Sequence, residues 1–254
     1  MSVFAKASAS RSVRAVFTGV ALVGVSALLL TGCATTAGTP AASSTPSASG
    51  DVKAVAAGDR NLTLKIGTIL PQSGALAFLG PPEEAGVALA VKDINDAKLG
   101  LTIDPVYRDS GDTTTDTATV SVTDLLSQKV TAIVGAASSG VSKTVIDQIT
   151  GAGVVQFSPA NTSADFTKYA DKGLYWRTAP SDLLQGEVLG NQIATDGNST
   201  LGLIVLNDSY GTGLAESTTK AFEAGGGKVG AKSLFNEGDS NFAAQVSEVT
   251  GGKP

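Results

Sequence analysis

Between Leu62 and Val249 the chain alternates short β-rich runs with stretches of helical periodicity. No other feature restricts the fold as strongly. Leu62 to Leu70 (LTLKIGTIL) is β-rich and is stopped by Pro71. Pro82 to Asp96 carries Ala85, Ala88, Leu89 and Ile94 at helical spacing, which predicts an apolar face there. Glu83 and Glu84 suit the positive end of that helix. Strand character returns from Leu101 to Tyr107, and Thr114 to Ser127 reads as a helix with Val120, Leu125 and Leu126 on one side. Val130 to Val134 and Val154 to Phe157 read as short buried strands. They flank a helix from Val141 to Thr150, closed by Gly151. Alternation of this kind predicts a parallel sheet covered on both faces, with right-handed crossovers. Ligands of such sheets bind beyond the carboxyl ends of the strands, where strand order reverses. The segments to inspect are therefore Pro71 to Gly74, Gly135 to Gly140 and Ser158 to Thr162.

After Tyr175-Trp176-Arg177-Thr178 the pattern restarts. Helix is expected over Leu183 to Ala194, strand over Leu201 to Leu206, helix over Gly211 to Ala224, strand over Lys228 to Leu234, and helix from Phe242 to Val249. The expected fold is α/β, with two Rossmann-like parallel-sheet lobes joined by a hinge near Tyr175 to Asp182. The lobes are assigned to residues 61–178 and 179–254.

The chain has no histidine and one cysteine, Cys33. Ser-His-Asp and Cys-His catalysis are thereby excluded, and so are most zinc sites. A Gly-x-Ser-x-Gly elbow, a Walker A loop and a Gly-x-Gly-x-x-Gly helix start are also lacking, so a surface enzyme on this scaffold is disfavoured and no cofactor or metal is expected. Asp109 and Asp112 read as turn or capping residues. The sole tryptophan, Trp176, reads as hinge packing.

Lys6, Arg11 and Arg14 precede an uncharged run from Ala15 to Leu30, and Leu30-Thr31-Gly32-Cys33 follows. A positive start, an apolar stretch and small residues before a cut site are the parts of a secretory leader. The uncharged run of about 16 residues is shorter than a membrane-spanning helix needs. A cysteine straight after the small residues resembles the lipobox of bacterial lipoproteins. The resemblance implies a signal peptide over residues 1–32, lipidation of Cys33 and an extracytoplasmic, membrane-anchored chain. The leader accounts for three of the 18 basic residues and none of the 23 acidic ones, so the remainder carries 15 against 23. Basic clusters are missing and nucleic acid is not an expected partner. Residues 34–58 are rich in Ala, Ser, Thr, Pro and Gly and cannot bury a core. Residues 33–60 read as a lipidated tether with a reach on the order of 25–30 Å.

The segments after the strands carry a second resemblance. ILPQSGALAFLG, VGAASSG, FSPANT, YWRTAPSD and LNDSYGTGLAES, in this order, resemble the type I periplasmic-binding fold. The branched-chain amino-acid receptors of ABC importers are most similar. The resemblance implies a ligand held between two lobes. Ser139 and Thr162 would hold an amino-acid carboxylate, the Ala160 carbonyl would accept from the ammonium, and Tyr210 would close over the ligand from the second lobe. The chemistry of the residues agrees. An ionised carboxylate in a closed cleft needs several donors, and Ser139 lies where a helix begins, with backbone N–H groups facing the same anion. Ser138 is a further candidate contact, although Ser138 and Ser139 also suit helix capping.

Two departures stand out. The family often places an aromatic residue a few positions after the first Ser-Gly, where this chain has Leu79, with Phe78 beside it. Leucine-type amino acids, other amino acids, short amides, urea and aromatic acids remain open as ligands. The chain also stops at Gly251-Gly252-Lys253-Pro254, where a further second-lobe strand is expected. It therefore reads as C-terminally truncated, with an incomplete second lobe and the acidic residue that grips the ligand ammonium beyond its end. The functional expectation is a non-enzymatic solute receptor feeding an ABC permease. A ligand-sensing ectodomain is the alternative on the same fold.

Overall fold

The fold is taken from a computed structural model, which describes residues 61–251. They hold seven strands and six helices in strict succession. The order is β1 (Leu62–Leu70), α1 (Gly80–Asp96), β2 (Leu101–Asp109), α2 (Thr117–Ser127), β3 (Ala132–Gly135), α3 (Ser139–Gly151), β4 (Val155–Ser158), β5 (Tyr175–Arg177), α4 (Asp182–Thr195), β6 (Thr200–Leu206), α5 (Ser209–Ala224), β7 (Lys228–Phe235) and α6 (Ala243–Thr250). A single 3-10 turn, Ala164–Lys168, lies between β4 and β5. The strands form two parallel sheets, ordered β2-β1-β3-β4-β5 and β6-β7. Cys33, the expected leader and the expected tether lie outside the described residues.

β1 is an interior strand, next to the edge strand β2, because its carboxyl half can be buried on both sides. Gly67 to Leu70 is fully buried, and β1 pairs with β2 on one edge and β3 on the other. Chain order reverses between β1 and β3, so a crevice opens beyond their carboxyl ends. The core under the sheet joins Ile69 and Ile133 to Ala118, Val122 and Leu125 of α2 and to Val141, Val145 and Ile149 of α3. Their spacing of three and four residues places each set on one helix face. A second cluster stacks Phe166 on Tyr175, with ring centroids 4.7 Å apart, beside Ile146.

Three expectations are corrected. Val120 is 67% exposed, because α2 buries Ala118, Ser121, Val122 and Leu125 instead. The Ala85, Ala88, Leu89, Ile94 stripe of α1 faces solvent, while Glu83, Val87, Val91 and Asn95 form the half-buried side. Asn95 fixes that side by exchanging two hydrogen bonds with the backbone of Ile103, at 2.7 and 3.1 Å. Tyr175–Arg177, where no strand is expected from the sequence, is an edge strand paired with β4. Trp176 stands exposed on it beside Phe157, its register partner, and its indole N–H donates to the Gly173 carbonyl.

In the second half α4 and α5 pack closely. A methyl group at Gly186 would sit 2.4 Å from the Ser217 Cβ, and one at Gly190 would sit 2.5 Å from the Thr218 carbonyl oxygen. Glycine at both positions lets the two backbones touch.

Candidate functional site

The loop after β1 is shaped by two aspartates, one at the end of β2 and one in the turn that follows it. Asp109 accepts from the backbone N–H of Gln72 (2.8 Å), Ser73 (3.2 Å) and Gly111 (2.8 Å), and from the Ser73 hydroxyl. Burial alone would raise its pKa, but these donors prevail and hold it below the usual carboxylate range. Asp112 accepts from the N–H of Ala75 (3.3 Å) and Thr114 (2.9 Å). Both are turn formers, and between them they set the loop that carries Leu76 and Leu79.

The next wall is the start of α3. Gly135 has φ +117°, and a Cβ there would lie 2.1 Å from the Ile69 carbonyl oxygen, so only glycine lets β3 turn this close to β1. Ser138 is the N-cap, its hydroxyl accepting from Val141 N–H at 3.3 Å. Ser139 is buried, and its hydroxyl oxygen accepts from the N–H of Thr162 (3.3 Å) and Ser163 (3.2 Å). Those two bonds fill its acceptor capacity and leave its single proton for a further acceptor. Neighbouring polar groups lock the geometry. The Asn161 amide donates to the carbonyls of Ala136 (3.1 Å) and Ala137 (2.8 Å), Ser158 donates to Ala136 (2.7 Å), and the Tyr175 hydroxyl donates to Asn161 at 2.8 Å.

The second half contributes the N-termini of α4 and α5. Asp208 caps α5, accepting from Gly211 N–H at 2.7 Å. Burial raises its pKa. The N–H groups of Gly211, Tyr210 and Gly140 oppose the shift, and the Glu237 charge adds to it. Asp182 opens α4 at the junction between the halves. Its N–H donates to the Thr162 carbonyl at 2.8 Å, yet its side chain is 0% exposed and neither carboxylate oxygen has a hydrogen-bond partner. Burial raises its pKa, the Arg177 charge opposes, and the Asp208 charge adds. The Tyr210 phenol is raised by burial and by these two carboxylates. Arg177 is committed elsewhere, donating to the carbonyls of Ser163 (2.8 Å) and Asn161 (3.4 Å) and to the Thr167 hydroxyl (3.0 Å).

These elements enclose a cavity of about 280 Å³ at the carboxyl ends of the strands. Of the residues singled out from the sequence, Leu79, Ser138, Ser139, Ala160, Thr162 and Tyr210 line it. Phe78 does not; it is 71% exposed, and Leu79 is the one turned to the cavity. The sequence reading missed Leu76, Ala137, Gln185, Leu206, Asp208 and Glu237 in the lining, and Asp182 next to Thr162 and Tyr210. The lining contains no lysine or arginine. A surface groove of about 420 Å³ between α4 and α5 is larger but lies away from the strand ends. Chemically, the cavity pairs hydroxyl donors at a helix N-terminus with nearby carboxylates, between aliphatic walls.

Comparison with known proteins gives a consistent result. The leucine-, isoleucine-, valine-, threonine-, and alanine-binding protein of Pseudomonas aeruginosa is 29% identical over 191 residues, 74% of this chain and 50% of that protein. The substrate-binding protein LivJ of a branched-chain amino acid transporter from Streptococcus pneumoniae, solved with isoleucine, superposes with a TM-score of 0.64 at 30% identity, covering 75% of this chain and 54% of its own. An ABC-transporter solute-binding protein from R. palustris, solved with benzoate, superposes with a TM-score of 0.66 at 25% identity, over 76% of this chain and 54% of its own. The chain thus spans about half the length of the relatives it matches. A profile of the family described as periplasmic binding protein matches residues 63–254, three quarters of the chain, and the chain belongs to that family.

Proposed function

We propose that this chain is the ligand-binding part of an extracytoplasmic solute receptor for an α-amino acid with an aliphatic side chain. One observation carries the reading: a small aliphatic cavity with hydroxyl donors at one helix start, the half-buried carboxylates Asp208 and Glu237 in its lining, and the buried, unpaired carboxylate of Asp182 beside it. Ser139, Thr162 and Ser138 donate to the ligand carboxylate at the α3 N-terminus. The Ala160 carbonyl accepts from the ammonium, and Asp182 and Asp208 supply the negative potential that favours it. Leu76, Leu79 and Leu206 surround the side chain, and Tyr210 closes over the ligand. The ligand touches both halves, so its differential contacts favour the closed arrangement. No bond in the ligand is made or broken.

The benzoate-bound relative raises a second reading, a simple carboxylic acid as ligand. It is the weaker one here. A monoanion would join Asp182, Asp208 and Glu237 without a lysine or arginine in the lining to compensate. Delivery to an ABC permease, and anchoring through a lipid on Cys33 with residues 34–60 as tether, complete the proposal. The anchor keeps the receptor near its permease at high effective concentration. The test is calorimetric titration of the protein with leucine, with 4-methylpentanoate, which lacks only the amino group, and with benzoate. Binding of leucine alone supports the proposal. Binding of both acids with no response to leucine overturns it.

A further inference from the structure

We propose that Thr113 and Glu237 form a latch beside the cavity, holding its two halves together before a ligand arrives. The inference takes the cavity as the ligand site, as argued above. Thr113 lies in the turn after β2 and Glu237 just after β7, 124 residues apart in sequence. The Thr113 N–H donates to Glu237 Oε2 at 3.0 Å, and the Thr113 hydroxyl donates to the same oxygen. Glu237 also lines the cavity. The contact therefore ties the turn after β2 to a residue of the cavity lining.

Both ends of the latch are fixed, unlike a pair of long surface side chains, whose ordering entropy cancels most of the gain. On the Thr113 side, Asp112 ties down the following residue through Thr114 N–H. Behind Thr113, a Cβ on Gly140 would lie 2.7 Å from the Thr113 methyl and 3.0 Å from Asp208 Oδ2. The absence of a side chain at Gly140 is what lets the turn seat against α3. On the Glu237 side, Asn236 N–H donates to Asp239 at 2.8 Å and the Asn207 amide donates to Asn236 at 3.0 Å, so the loop is braced against the end of β6. One donor of the latch is a backbone N–H, which has no rotamer to lose. Hydrogen bonds to an ionised acceptor are also stronger than neutral ones. A second bond crosses in the same sense, from the Ser163 hydroxyl to the Ser209 carbonyl at 2.9 Å. Neither residue of that bond lines the cavity, whereas Glu237 does, so the Thr113–Glu237 pair is the crossing contact that reaches the ligand site.

A latch of this kind acts on the open–closed equilibrium and not on the choice among ligands of the same charge. Weakening it lowers the population of the closed form and multiplies every ligand's apparent Kd by the same factor. It also lets ligands leave faster.

The experiment uses the full chain with Cys33→Ser, carrying spin labels at Lys92→Cys in the first half and Lys232→Cys in the second. Distances are measured without ligand in this background and with Glu237→Gln or Thr113→Val added. The latch predicts a single short distance in the parent and a longer population in both variants. Identical distributions in all three overturn it. Stopped-flow binding of leucine, isoleucine and valine then reads the rates. The expected result is a dissociation rate raised about 3- to 10-fold in both variants, by a common factor for the three ligands. A factor that differs between ligands overturns the latch and makes Glu237 a ligand contact. Failure of all three to bind the parent would sink the amino-acid reading, while the ligand-free distances would still decide the latch.

Discussion

Replacing Ser139 by alanine separates two roles that the structure gives to one oxygen. The hydroxyl accepts from the buried N–H groups of Thr162 and Ser163, at 3.3 and 3.2 Å. Alanine leaves both donors without that acceptor. An unsatisfied buried polar group costs about 1–3 kcal/mol. These two bonds are long, so the sum is taken as about 2–3 kcal/mol. For a chain of this size each kcal/mol lowers Tm by about 2–4 °C, which gives a fall of about 5–10 °C without ligand. The same substitution removes the proton offered to a ligand carboxylate. A hydrogen bond to a charged group is worth about 1.5–3 kcal/mol, so Kd should rise about 10- to 150-fold. Thermal melts of the ligand-free protein read the first effect, and calorimetry well below the melting range reads the second. An unchanged Tm would mean that Thr162 and Ser163 do not depend on this oxygen. A lowered Tm with unchanged Kd would mean that the hydroxyl is structural only and that the carboxylate binds elsewhere.

Other substitutions probe the remaining parts of the site and its scaffold. Asp182→Asn removes a buried carboxylate without partners, so the ligand-free protein should melt higher while leucine binding weakens at least 10-fold; a lower Tm would mean that the charge is already compensated. The pH dependence has a definite sign. Asp182 and Asp208 have raised pKa values in the folded protein, so ligand-free stability falls as pH rises from the ordinary aspartate range through those values. A ligand ammonium favours their ionised forms, so binding at mildly acidic pH should release protons, read as a buffer-dependent calorimetric enthalpy; proton uptake would contradict the assignment. Gly190→Ala should destabilise by about 1–3 kcal/mol by forcing α4 from α5, whereas Gly86→Ala, on the open side of α1, should stabilise by about 0.5–1 kcal/mol; chemical denaturation measures both.

The alternation of strands and helices was legible because each strand is a short apolar run and each helix carries a periodic stripe. The loops at the strand ends were legible for the same reason, since the topology sends every such loop to one side of the sheet. Errors arose where the periodicity fitted two faces. On α1 the stripe through Leu89 is as regular as the one through Val87 and Val91, and the tie between Asn95 and Ile103 decides which side turns inward. β5 was missed because three residues, Tyr175 to Arg177, become a strand only by pairing with β4. Asp182 follows a serine N-cap and looks like an ordinary first-turn acid; only the packing of Thr162 and Tyr210 around it reveals a buried carboxylate. The contact of Thr113 with Glu237 has no local signal, since the two meet through the tertiary fold alone.

The central claim is that the cavity selects a zwitterion with an aliphatic side chain. The most direct measurement is the calorimetric affinity of the protein for leucine set against that for 4-methylpentanoate, which keeps the carboxylate and the side chain and lacks the ammonium. The account predicts that leucine binds at least 100-fold more tightly, because Asp208 and Glu237 line the cavity, the buried carboxylate of Asp182 lies beside it, and the lining holds no lysine or arginine. Equal affinities, or tighter binding of the acid, would contradict it.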